Sequence, residues 1–63
     1  MSDLTLTPNI DGTDDFYADL LATHEGKTKA ESDTINARLI LILANHIGDR
    51  DVLSLALRAA DIT

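Results

Sequence analysis

Two histidines are the side chains in this 63-residue sequence best placed to do chemistry. His24 is followed by Glu25, and His46 stands three positions before Asp49. Imidazole and carboxylate are ligands for zinc and related ions, so His24, Glu25, His46 and Asp49 are the candidate ligand residues. Each pair falls short of the three or four protein ligands that such an ion takes. Both strings, His24-Glu25-Gly26 and His46-Ile47-Gly48-Asp49, also read as helix ends. There an imidazole serves the last carbonyls without any ligand. If the two helices run antiparallel, the rings lie a helix length apart within one chain, and only a subunit contact could join them. No metal, cofactor or catalytic residue is assigned on this basis.

Other chemistry has less support. The chain has no cysteine, which excludes disulfides, thiolate metal sites and a cysteine nucleophile. Ser2, Ser32 and Ser54 lack a local nucleophile motif, and no glycine-rich phosphate loop is present. Most carboxylates fall where helix capping accounts for them. Phe16 and Tyr17 suit a small pocket, and equally suit the core and rim of a helical fold. The expectation is a protein that is not an enzyme.

Charge divides the chain in two. Residues 1–25 hold six acids and no Lys or Arg, whereas residues 26–63 hold five acids and five bases. The net charge of −6 therefore belongs to the first stretch. Such a front half repels phosphate backbones and suits a basic protein surface or plain solvation. The start Met1-Ser2-Asp3-Leu4 lacks the basic residues and apolar core expected of a signal peptide. The longest apolar run, Leu39–Ala44, is six residues, and a membrane span takes about 20. A cytoplasmic protein with no membrane and no nucleic-acid partner is expected.

The elements that would hold these residues are helices. Residues 1–12 predict an extended arm: Leu4 and Leu6 alternate with polar residues, Pro8 keeps Thr7 extended, and Asp11-Gly12 marks a turn. Leu4, Leu6 and Ile10 are its candidate anchors. A first helix is predicted over 13–25, capped by Thr13 and stopped at Gly26. Thr28-Lys29-Ala30-Glu31 matches a capping box, which starts a second helix over 28–47. The very short connection makes these two an antiparallel hairpin. Asp49 caps a third helix over 49–61, whose stripe is Val52, Leu53, Ala56, Leu57 and Ala60. The expected architecture is one all-α domain of residues 1–63: an αα-hairpin, a third helix and an extended N-terminal arm. Its expected core is Phe16, Leu20, Leu21, Ile35, Leu39, Ile42, Leu43, Ile47, Val52, Leu53, Ala56 and Leu57.

The second helix is too apolar for this arrangement alone. Nine of the thirteen residues from Ile35 to Ile47 are apolar. One face takes Ile35, Leu39, Ile42, Leu43 and His46, while Ala37, Ile40, Leu41 and Ala44 continue round the other side. A helix apolar nearly all round is buried nearly all round. Two short helices and an arm cannot do this, and a 63-residue chain without disulfides lacks any other staple. A homo-oligomer, most simply a dimer, is therefore expected, with Ala37, Ile40, Leu41 and Ala44 as its interface.

The strings Phe16-Tyr17-Ala18-Asp19-Leu20-Leu21, His24-Glu25-Gly26 and Asn36 through Asp49, with the opening Leu4-Thr5-Leu6-Thr7-Pro8-Asn9, resemble a family of very small bacterial proteins classed as a domain of unknown function. The resemblance covers nearly the whole chain. It implies a stand-alone protein and supplies no catalytic residue and no substrate. Two functions from different classes follow from the residues themselves. The first is a small acidic interaction or accessory protein that docks on a larger protein as a homo-oligomer. The alternative is a ligand- or metal-binding protein whose site forms at a subunit interface from His24, Glu25, His46 or Asp49.

Overall fold

Helix signals local to the sequence dominate the computed structural model, which describes residues 3–62. Met1 and Ser2, where the expected arm begins, and Thr63 lie outside the described residues. Three helices follow in order: α1 Thr13–His24, α2 Lys29–Ile47 and α3 Arg50–Ala60. No strand occurs among the described residues. The fold is all-α with an irregular N-terminal arm.

The capping box forms as its spacing dictates. The Thr28 hydroxyl accepts from the Glu31 amide at 3.1 Å, and the Glu31 carboxylate accepts from the Thr28 amide at 2.9 Å. Two donors without intrahelical partners are thereby satisfied, and α2 starts at Lys29. It stops at Gly48, whose φ of 70° is reached without a Cβ clash, and the Gly48 amide donates to the Ala44 carbonyl at 2.9 Å. Asp49 Oδ1 then accepts from the amides of Asp51 and Val52, at 3.0 and 3.2 Å. That capping starts α3 at once, so only Gly48 and Asp49 separate the two helices.

The start of α1 corrects the expectation that Thr13 is its cap. Gly12 holds that position in the left-handed conformation, φ 62° and ψ 49°, and no side chain caps the helix. Glycine lets the chain turn inward one residue early, which puts Thr13 inside the helix. Its hydroxyl instead donates back to the Ile10 carbonyl at 2.8 Å. Asp14 and Asp15 supply the favourable first-turn charge. At the other end Glu25 has left helical geometry, with φ −61° and ψ 129°, so α1 closes at His24.

The expected core needs a larger correction. No side chain among the described residues is buried within one chain. Leu20, Ile35, Leu39, Val52, Leu53 and Ala56 are partly covered. Phe16, Leu21, Ile42, Leu43, Ile47 and Leu57, six members of the same expected core, are exposed. Of the arm's anchors only Leu4 is partly covered, while Leu6 and Ile10 face solvent. Periodicity identifies the apolar faces, but one chain has too few partners for them.

Size measures agree with this. The radius of gyration is 13.5 Å, against about 10.6 Å for a compact chain of this length. The accessible surface is 5767 Å². A compact monomer of 6.8 kDa exposes about 3,950 Å², leaving an excess of roughly 1,800 Å².

Candidate functional site

The short Gly48–Asp49 corner decides what α2 and α3 share. Because α3 leaves α2 after two residues, the apolar edges of both helices open onto one hollow of about 490 Å³. Ile40, Leu43, Ala44 and Ile47 line it from α2. Leu53, Ala56, Leu57 and Ala60 line it from α3. Alanines form low ground between larger ridges, the relief into which a neighbouring helix can settle. The charged residues of the two helices (Lys29, Glu31, Asp33 and Arg38 on α2; Arg50, Asp51 and Arg58 on α3) are not among the lining. On α3, Asp51 and Arg58 occupy the face opposite its stripe.

Of the expected interface, Ile40 and Ala44 lie in this groove. Ile40 is 64% exposed and Ala44 partly covered. Ala37 and Leu41 are exposed too, with Leu41 at 70%. On the helical wheel they turn progressively away from the groove's centre. The part played by α3, through Ala56, Leu57 and Ala60, is absent from the expected interface. Its signal was nonetheless present, because the α3 stripe is the cleanest amphipathic pattern in the chain.

The four candidate ligand residues do not converge. His24 Nδ1 lies 2.8 Å from Ser32 Oγ, a hydrogen bond that ties the last residue of α1 to the first turns of α2. Glu25 is the α1 C-cap, its amide donating to Ala22 at 3.2 Å. His46 stands in the last turn of α2, and Asp49 caps α3. Ser32 and His46 are fourteen residues apart on one helix, which separates them by about 21 Å. One ion cannot reach both imidazoles of a chain. No group of three or more His, Cys, Asp or Glu placed to hold a metal occurs among the described residues. The His24–Ser32 bond is the contact that sequence reasoning missed, since a spacing of eight across a turn has no periodic signature.

A second hollow, formed by Leu6, Pro8, Ile10 and their neighbours with Thr13, is the arm curling on itself. No helix among the described residues is long and apolar enough to cross a membrane.

These features define a class: a short all-α chain with an acidic front and an uncovered apolar groove at its second helical corner. The chain belongs to the DUF2783 family, described as a protein of unknown function, which matches residues 4–61. The match runs from the arm through the end of α3, so the groove lies wholly inside it. No curated protein and no solved structure matches the chain.

Proposed function

We propose that this chain is a small acidic interaction or accessory protein, not an enzyme, that works in the cytoplasm as a homo-oligomer, most simply a dimer. The observation that carries the reading is the excess surface of one chain, roughly 1,800 Å² above a compact monomer of 6.8 kDa. Aliphatic residues of α2 contribute to it, since Ile40, Leu41, Ile42, Leu43 and Ile47 are all exposed. Apolar surface in water is unfavourable by about 25 cal/mol per Å², and association removes it. The acidic front half is then left for a basic partner protein, and it disfavours nucleic acid.

Light scattering across a dilution series, read beside helix circular dichroism, tests this. A dimer or larger assembly whose helix signal falls on dilution is the expected result. A monomer that keeps its full helix signal at every concentration overturns the oligomeric reading.

A further inference from the structure

Resting on that oligomeric reading, we propose that the α2–α3 groove is the dimer seam, and that a second copy of the chain occupies it about a two-fold axis. Area, charge and shape each support this occupant.

The excess of roughly 1,800 Å² per chain exceeds the approximately 800 Å² that an ordinary specific interface takes from each partner. It falls within the approximately 1,000–2,500 Å² per chain of obligate homodimers. That excess belongs to the whole chain, arm included, and it shows that one chain has surface enough for an interface with a second copy.

A two-fold axis sets each surface against its own copy, so a charged face opposes itself. Residues 1–25 carry all of the net −6, with no Lys or Arg to compensate. A dimer closed through the arm and the acidic side of α1 would set −6 against −6. The groove avoids this, since its lining carries no charged residue. It also offers both ridges (Ile40, Ile47 and Leu57) and low ground (Ala44, Ala56 and Ala60), as a self-complementary seam requires. Two such corners interlock as four helices around one core. The seam itself then sets no charged residue against its own copy.

Sedimentation equilibrium on the full chain tests the seam with three substitutions of well-exposed leucines. Leu57, 72% exposed in one chain, lies in the groove; Leu41, 70% exposed, lies on α2 outside it; Leu6, 77% exposed, lies on the arm. Leu57→Glu buries an unpaired charge in each copy and should raise the dimer Kd about a hundredfold or more. Leu41→Glu and Leu6→Glu should leave it within about tenfold. If Leu57→Glu does not fold, Leu57→Ala replaces it. It should weaken the dimer by about 10- to 100-fold, with full helix signal at high concentration. A wild-type dimer that tolerates both Leu57 substitutions overturns the groove assignment and leaves the homo-oligomer standing. Loss of the dimer through Leu41→Glu alone places the seam on the other flank of α2 and also overturns it. A wild-type chain that is monomeric throughout, or that gains mass only with phosphatidylcholine vesicles, overturns both readings.

Discussion

Residues 1–25 and residues 28–60 are built on opposite principles. The first stretch holds six acids, no Lys or Arg and a helix with no side-chain cap. The second holds two side-chain-capped helices, a near balance of charge and most of the aliphatic residues. One region is suited to water or a basic surface. The other forms its helices locally, then leaves their apolar faces without a cover. The difference teaches that local and tertiary stability are separable here. Capping decides where α2 and α3 begin and end, and it cannot decide what covers Ile40, Leu43 or Leu57.

The largest expected effect breaks the comparison at its apolar side. Leu43 is 47% exposed in one chain. Truncating a half-covered leucine should cost about 1 kcal/mol by transfer alone. Truncating one buried in an assembly costs about 2–5 kcal/mol. We expect Leu43→Ala to fall in the higher range in urea melts at high protein concentration. A cost near the lower figure would mean that the single chain is the whole folding unit. Leu39→Ala should behave alike, because Leu39 is already partly covered by its own chain.

A middle-sized effect sharpens the capping contrast. Asp49→Ala removes the acceptor of two amides, and Thr28→Ala removes half of the capping box. Each should cost about 1 kcal/mol. Thr13→Ala should cost less than either, because the Thr13 hydroxyl bonds to the Ile10 carbonyl and caps no helix amide. Comparing the three melting temperatures checks the order. A Thr13→Ala variant as damaged as Thr28→Ala would restore Thr13 to the capping role that its sequence position suggests.

That order also marks how far the sequence is legible. Thr28 with Glu31, Gly48 and Asp49 can be read directly, because each acts on backbone within four residues. Helix α1 starts at Thr13 as expected, but its cap is misread by one position because Gly12 and Thr13 are both acceptable caps. Only the backbone conformation of Gly12 separates them. Helical periodicity finds the stripes of α1, α2 and α3 without their covers, so half of the expected core lies exposed. The groove is missed as a unit because it depends on how α3 leaves the Gly48–Asp49 corner. No residue spacing encodes that angle. The candidate ligand residues separate because His24 is bonded to Ser32 near the start of α2, and the rise of that helix carries His46 far from it.

A smaller effect concerns the one side-chain link between the two regions that the histidines provide. Ser32→Ala removes the partner of His24 Nδ1 at 2.8 Å. A partly buried hydrogen bond contributes about 0.5–1.5 kcal/mol net. The expected outcome is a loss of that size, with faster amide exchange in α1 and little change in α3. Uniformly faster exchange in all three helices would show that α1 and the α2–α3 corner unfold as one unit.

The smallest expected effect lies on α2 itself and tests whether charge stabilises the apolar region at all. Lys29 Nζ and Asp33 Oδ2 form an i,i+4 pair at 2.9 Å, with side chains 90% and 62% exposed. A pair so open to water is screened by salt and loses side-chain entropy on forming. It also has the less favourable orientation, since the basic residue is nearer the helix N-terminus. Lys29→Ala should therefore change stability by less than about 0.5 kcal/mol. Adding salt should abolish even that difference. The same salt should tighten a dimer whose acidic fronts repel, because screening weakens repulsion while leaving apolar burial intact. Melting temperatures of both proteins at low and high salt, at one fixed concentration, give the two results together. A Lys29→Ala loss well above that limit, or a dimer that salt weakens, would mean that charge pairing holds the α2–α3 region. The apolar account of its seam would then fail.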